Sequence, residues 1–396
     1  MLITELNKKA LDVLNNTFGY SSYRYEQEKI INSVLLGNHT LAIMPTGAGK
    51  SLCYQIPAII SSKKTVVISP LISLMDDQVS ALKECGIQAA KIHSDMTYDE
   101  RFSSWNNFKN GKEKIIYLSP EKIMSEDFLN QLKNLDVGLF VIDEIHCVSK
   151  WGHNFRPDYN QLSQLKSLFP NSNIIGFTAT ADQTTRLDIL EKIFNKNVNV
   201  FVSSLDRPNL SLSITQKTNW KSQLLEYLRD RKSQSGIIYC LSKKKTEEVT
   251  SLLNDKGFNA SAYHAGLDGQ VRKNVQYTFM TEQAHIVVAT IAFGMGIDKP
   301  DIRFVIHLNL PGSVEAYSQE IGRAGRDGNA SDTLLIYGLD DLVIRRRMIE
   351  ENSSEDKFKF HENKRLDYLL SYCETPECRR KVLLSYFDEV SENCNN

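Results

Sequence analysis

The sequence predicts an α/β fold, with two parallel-sheet domains in tandem and a short helical tail. Three observations predict it. The chain has 396 residues, room for two or three domains at about 100–200 residues each. Short apolar runs bounded by turn residues recur along it, with helical patterns between them. These runs are continuous rather than alternating, the pattern of strands covered on both faces and joined by helices. The segment Ser203–Asn219 is polar, contains Pro208 and interrupts the rhythm, so we place a linker there.

Residues 1–14 alternate apolar positions with Glu5, Lys8, Lys9 and Asp12 and read as an amphipathic helix. Strands are expected at Leu41–Met44, Thr65–Ser69, Lys114–Ser119, Gly138–Asp143 and Asn173–Thr178 in the first half. In the second half they are expected at Gly236–Cys240, Ala260–His264, His285–Thr290, Arg303–Asn309 and Thr333–Tyr337. After about Gly338 the strand pattern stops, and charged helices run on that are too short for a third large core. The expected domains are 1–205 and 206–340, followed by a helical module, 341–396.

Hydrophobic residues make up 41% and charged residues 24%, which excludes a disordered chain, a fibre and a disulfide-stapled miniprotein. Lys plus Arg is 47 and Asp plus Glu 48, a formal net charge of −1. On composition alone this weighs against a nucleic-acid partner. No stretch approaches the roughly 20 apolar residues of a membrane-spanning helix, and the N-terminus has no signal-peptide core. A cytoplasmic protein without a membrane partner is expected. Of seven cysteines, Cys53, Cys85, Cys147 and Cys240 lie far apart and read as buried reduced thiols. Cys373, Cys378 and Cys394 crowd the tail.

Chemistry enters after the first strand. Leu41–Met44 leads into Pro45-Thr46-Gly47-Ala48-Gly49-Lys50-Ser51 and then the apolar Leu52–Ile60. This is strand, glycine-bearing loop, helix. Backbone N–H groups of such a loop bind phosphate oxygens, Lys50 would reach the β and γ phosphates, and the Ser51 hydroxyl would hold Mg²⁺. A Gly-Lys-Ser triplet is weak alone; its setting between strand and helix gives it force. Met44 stands where the common pattern has its first glycine. Further on, Gly138–Ile142 runs into Asp143-Glu144-Ile145-His146. A carboxylate at the C-terminal end of a parallel strand faces the ligand crevice. Asp143 is expected to complete the Mg²⁺ shell and Glu144 to polarise the attacking water. An isolated acidic pair would read as a solvated turn; the phosphate-binding loop reverses that preference. In the second half, Arg323 and Arg326 lie three apart, as on one face of a helical turn. An arginine at the γ-phosphate stabilises charge developing in phosphoryl transfer. The small residues Gly322, Ala324 and Gly325 favour close approach to a partner, and a solvated basic helix is the alternative.

In order and spacing, these motifs closely resemble the RecQ family of superfamily 2 DNA helicases. The resemblance begins at Phe18-Gly19-Tyr20…Arg24-Tyr25-Glu26-Gln27, similar to the family's adenine-recognition motif, with Tyr25-Glu26 where members usually carry Pro-Gly. It continues through Met44–Ser51, Ser69–Gln78, Leu118–Glu121, Phe177–Asp182 and Asp206-Arg207-Pro208-Asn209-Leu210. The Asp143–His146 motif continues into Cys147–Tyr159, a run that looks like the aromatic-rich loop, the most family-specific feature present. Ile237–Cys240, Tyr263–Leu267, Ala289–Pro300 and the double-arginine motif match in the second domain; Leu241-Ser242-Lys243 replaces the family's frequent Asn-Ser-Arg.

The resemblance implies two RecA-like domains that bind ATP·Mg²⁺ between them and single-stranded DNA across their tops. Tyr20 would stack on the base, while Arg24 and Gln27 would contact the nucleotide. Thr46, Gly47, Gly49, Lys50, Ser51 and Asp298 complete its implied site. Lys50, Asp143, Glu144, Gln319, Arg323 and Arg326 are the implied catalytic set. His146, Trp151, Phe155 and Arg156 would sense or contact DNA, since Trp and Phe stack on any base and Arg suits phosphate. Thr178 and Thr180 would couple hydrolysis to movement, with ordinary strand-end hydrogen bonding as the alternative. The implied activity is ATP-dependent 3′–5′ translocation on single-stranded DNA and unwinding of partially duplex DNA, in repair and recombination. A monomer is expected, at the nucleoid in a bacterium; protein partners stay open.

Cys378-Arg379-Arg380 through Glu389 resembles the family's zinc-module helix. The family completes a four-cysteine site with Cys-x-x-Cys-x-x-Cys; here Cys394-Asn395-Asn396 begins that run and the chain stops. A structural zinc takes four ligands, of which Cys378 and Cys394 are two; Cys373 has no family warrant. ATP and Mg²⁺ are therefore the expected cofactors, and zinc only in a longer form. ATPase activity and DNA binding are expected ahead of vigorous unwinding. Two other readings stay open: a superfamily 2 RNA helicase, and a nucleotide-gated binding protein without turnover. The net charge of −1 becomes an average over carboxylates used on Mg²⁺, water and solvated helices, and basic residues gathered locally, as in Arg229–Lys245 and Arg345–Arg347.

Overall fold

The computed structural model describes residues 2–149, 156–294, 297, 299–352 and 356–394. The chain divides into two compact units, Met1–Ser204 and Leu205–Asn396. After the helices Leu2–Asn16 and Gln27–Leu35, the first unit builds seven strands: β1 (Thr40–Ile43), β2 (Lys64–Ile68), β3 (Ala89–Ile92), β4 (Ile115–Leu118), β5 (Val137–Ile142), β6 (Asn173–Thr178) and β7 (Asn199–Val202). They pair in parallel in the order β3-β4-β2-β5-β6-β1-β7. Within β5, Phe140 and Ile142 join one apolar cluster, Leu139 and Val141 the cluster on the opposite face. Both faces are buried, which is why the run is continuously apolar.

The second unit has six strands: β8 (Leu210–Gln216), β9 (Ser235–Tyr239), β10 (Asn259–Tyr263), β11 (His285–Ala289), β12 (Ile302–His307) and β13 (Ser331–Tyr337). Their order is β10-β11-β9-β12-β13-β8, again parallel. Ile237 and Tyr239 face one cluster and Ile238 the other. The tail forms helices Leu339–Asn352, Asp356–Glu374 and Arg379–Tyr386. Their Leu369, Tyr372, Cys373 and Leu383 share a core with Tyr317 and Val287, so the tail lies within the second unit.

All ten expected strands form, but three others, β3, β7 and β8, were not anticipated. Each is an edge strand. Ser203–Asn219, read as a linker, contains β8, which pairs with Ser331–Tyr337. Its Leu210, Leu212 and Ile214 alternate with Ser211, Ser213 and Thr215, the period-2 signature of a half-buried edge. A search for continuous apolar runs misses it. Cys85 corrects another expectation: it ends the helix Ile72–Glu84 and is exposed, whereas Cys53, Cys147 and Cys240 are buried. Among the described residues, no helix is long and apolar enough to cross a membrane.

Candidate active site

The phosphate-loop candidate leaves β1 where Met44 N–H donates to the Thr178 carbonyl at 3.0 Å. Met44 itself is buried in the core, so its side chain stays clear of the loop's open face. Gly47 and Gly49 take φ of +79° and +74°, a left-handed conformation that costs any L side chain. Lys50 and Ser51 then stand at the N-terminus of the helix Leu52–Ile60, an end that favours anions.

Gln27 sets the loop from behind. Its Nε2 donates to the Ala48 and Gly49 carbonyls at 3.0 and 3.1 Å, and its Oε1 accepts from Arg24 N–H at 2.9 Å. A Cβ on Gly49 would lie 2.5 Å from that Nε2. Gln27 is thus a buried clamp that joins the Tyr20–Gln27 segment to the loop. Tyr20 is exposed, with the Arg24 guanidinium 6.0 Å from its ring centre.

β5 delivers the acidic pair. Asp143 N–H continues the ladder to the Ile68 carbonyl at 2.9 Å, and Tyr159 Oη–H donates to the Asp143 carbonyl at 3.0 Å. Glu144 is left-handed, φ 48° and ψ 45°, and its N–H donates to Asp143 Oδ1 at 3.0 Å. Such a conformation is uncommon for a non-glycine residue. It turns the chain into the 3₁₀ segment Ile145–Val148, whose Ile145 side chain packs where a Cβ on Gly176 would be, 2.3 Å from Cδ1. Burial raises the Asp143 carboxyl above the ordinary range. The neighbouring Glu144 charge raises it further, while the Lys50 ammonium opposes both. The Asp143 carboxylate and the Ser51 hydroxyl are oxygen donors of the kind Mg²⁺ takes.

His146 Nδ1 lies 2.9 Å from Thr178 Oγ1 and 3.3 Å from a Glu144 carboxylate oxygen. Thr178 Oγ1–H donates to the Thr180 carbonyl at 2.9 Å. Its only proton is thereby used, so His146 Nδ1–H must donate to it. The hydrogen bonds join His146 to the last residue of β6, with a Glu144 carboxylate oxygen 3.3 Å from the same ring nitrogen. Arg156, expected on phosphate, donates through Nη1 to the Pro70 carbonyl at 3.1 Å, which ties it to the Ser69–Gln78 segment. Trp151, Phe155 and Asp298 lie outside the described residues.

Sequence reasoning missed a polar network behind the loop. Tyr54 and Tyr117 share a hydrogen bond of 3.2 Å in the core, and Gln55 Nε2 donates to Gln78 Oε1 at 3.0 Å. Aromatic residues inside apolar runs carry no signal for this.

In the second unit the helix Val314–Ile321 carries Gln319, buried, and Glu320, which lies 2.7 Å from His307 Nε2. The arginines do not share a helical face, as the spacing predicted. The helix stops at Ile321 and Gly325 takes φ +57°, so Arg323 and Arg326 stand on a turn. The Arg323 guanidinium is buried and donates to the Gly294 carbonyl. In the tail, Cys378 and Cys394 do meet, Sγ to Sγ 3.3 Å. The Lys381 backbone N–H, at the start of the helix that Cys378 caps, lowers the Cys378 thiol's pKa. Cys373 is instead part of the core, its thiol pushed up to about 12 by burial. Among the described residues, no group of three or more His, Cys, Asp or Glu side chains is placed to hold a metal ion.

Residues 24–188 match the DEAD/DEAH box helicase family, 219–328 the helicase conserved C-terminal domain, and 339–396 the RecQ zinc-binding family. The chain is 44% identical over 392 residues to the ATP-dependent DNA helicase RecQ of Pasteurella multocida, covering 99% of this chain and 62% of that protein. It is 40% identical over 383 residues to the protein of the same name from Bacillus subtilis, covering 96% and 65%. The fold is shared with the DEAD-box helicase Mss116 bound to single-stranded RNA and UDP-BeF (TM-score 0.70, 17% identity, 96% of this chain and 89% of that one). It is shared too with the helicase MrfA bound to DNA (TM-score 0.68, 20% identity, 88% and 54%). The class is that of helicases with two RecA-like domains. Within it, the chain belongs to the RecQ family, and it spans less than two-thirds of the length of the two RecQ relatives above.

Proposed function

We propose that this chain is an ATP-dependent DNA helicase of RecQ type, in which single-stranded DNA stimulates ATP hydrolysis and hydrolysis drives 3′–5′ movement and strand separation in repair and recombination. One observation carries the reading: the loop 44–51, the Asp143–His146 turn and Thr178–Thr180 leave the C-terminal ends of three neighbouring strands, β1, β5 and β6, where α/β sheets bind ligands. Lys50 and the loop N–H groups hold the phosphates, and Ser51 and Asp143 would hold Mg²⁺, which when bound neutralises phosphate charge. Glu144 takes the proton of the attacking water. Gln319, Arg323 and Arg326 meet the charge of the transferred phosphoryl group. Tyr20 and Arg24 border the base, with Gln27 fixing the loop, and Asp298 completes the nucleotide site. His146, Thr178 and Thr180 are assigned to coupling hydrolysis to movement, and Trp151, Phe155 and Arg156 to contact with the strand. Cys378 and Cys394 are half of a zinc site, filled only where two further ligands are supplied. We read the protein as a cytoplasmic monomer, at the nucleoid in a bacterium.

The test is phosphate release from ATP with single-stranded DNA, with single-stranded RNA and with neither. Stimulation by DNA well beyond that by RNA is expected; equal stimulation, or none, overturns the reading. Trp151→Ala should raise the DNA concentration for half-maximal stimulation about tenfold or more, since stacking on one base contributes about 1–3 kcal/mol. Gly49→Ala should weaken nucleotide binding by up to about 30-fold in a fluorescent-nucleotide titration, because its Cβ displaces the Gln27 amide and two hydrogen bonds of about 1 kcal/mol each that set the loop are lost.

A further inference from the structure

The turn that carries Arg323 and Arg326 begins where the helix Val314–Ile321 ends. One side chain gathers three of its carbonyls. Arg207 Nη1 donates to the Gly322 carbonyl at 3.2 Å, and Nη2 to those of Ala324 and Gly325 at 2.8 Å each. Asn209 Nδ2 adds bonds to Gly325 and Asn329, both at 2.9 Å. The approach is close: a Cβ on Gly325 would lie 2.5 Å from that Nδ2.

Arg207 is itself held from the tail. The buried Arg380, on the helix Arg379–Tyr386, donates through Nη1 to Asp206 Oδ1 at 2.6 Å and to the Arg207 carbonyl at 2.7 Å, and through Nη2 to the Leu210 carbonyl at 2.6 Å. Two guanidinium forks in series therefore connect the tail to the arginine turn. A planar fork can meet several carbonyls at fixed angles, which a lysine ammonium cannot.

We infer that Arg207 is a positioning residue for Arg323 and Arg326, and that Arg380 sets it from the tail. The tail is on this account part of the hydrolytic apparatus. The inference rests on the proposed role of those arginines at the transferred phosphoryl group. Displacing a catalytic group by about 1 Å can cost about 100-fold in rate, while nucleotide affinity depends chiefly on the first unit's loop.

The test uses the full chain with saturating single-stranded DNA and varied ATP. Arg207→Met, Arg207→Lys and Arg380→Lys should lower kcat by about 10- to 100-fold and leave the KM for ATP within about twofold. Failure of the lysine variants to restore the rate marks the fork as the requirement. Asn209→Ala, which removes two donors and leaves both forks, should lower kcat by a smaller factor in the same direction and stands in where an arginine variant fails to fold. Unchanged kcat in folded variants, or losses in kcat, KM and melting temperature that move together, would overturn the inference. Lys50→Ala is run alongside: if it too leaves turnover unchanged, the reading of the active site fails; if it abolishes turnover while the Arg207 variants do not, only this inference fails.

Discussion

Glu144→Gln lowers ATP turnover by about 10³-fold, the usual scale of general-base removal, with nucleotide affinity changed by no more than a few-fold. Gln matches Glu in shape, so the backbone turn at φ 48° and the packing of Ile145 over Gly176 persist. What is lost is the proton acceptor and one negative charge beside Asp143. The phosphate loop and Asp143 are untouched, so binding of ATP with Mg²⁺ is retained. Phosphate release and nucleotide titration on the same preparation separate the two effects. Turnover within about tenfold of the unsubstituted protein would place the water-activating group elsewhere.

Asp341→Ala destabilises the second unit by roughly 3–5 kcal/mol, the cost of breaking a buried ion pair on one side. The carboxylate is fully buried. It receives Lys217 Nζ at 2.6 Å, Asn309 Nδ2 at 2.6 Å and the Gly338 N–H at 3.0 Å. Asn309 Oδ1 in turn accepts the Leu241 N–H at 3.1 Å. One carboxylate thus ties the chain just beyond β8, β9, β12 and β13. Alanine takes the close acceptor from a largely buried ammonium and leaves two other donors, Asn309 Nδ2 and the Gly338 N–H, without it. Urea unfolding followed by fluorescence reads the effect as a fall in midpoint. Asp341→Asn, which keeps an acceptor, should fall between the two. A change below about 1 kcal/mol for the alanine variant would show that the ion pair contributes no more than a surface one.

The central strands were legible because burial on two faces demands apolar residues at every position, and that demand is written locally. The edges were not. β8 alternates, β3 is a four-residue Ala-Ala-Lys-Ile segment, and β7 is largely exposed. The loop 44–51 and the Asp143–His146 turn were legible because each is a contiguous segment whose spacing is set by covalent geometry. Gln27 was read as a nucleotide contact, and the fold shows its amide on the loop carbonyls. Arg207 sat inside a quoted motif with no role, and Asp341 had no signal at all: one acidic residue in a charged segment looks solvated.

The sequence by itself determined the two parallel sheets and pointed to the candidate loop, acidic turn and arginines. Periodicity and contiguous motifs need no more than neighbouring residues to be read. Only the tertiary structure decided which polar groups satisfy one another. Arg380 and Asp206 are 174 residues apart along the chain, and Lys217 and Asp341 are 124 apart. Buried donors and acceptors must find partners wherever the packed chain brings them. Such pairings have no period or spacing, so they are decided by folding and leave no local trace in the sequence.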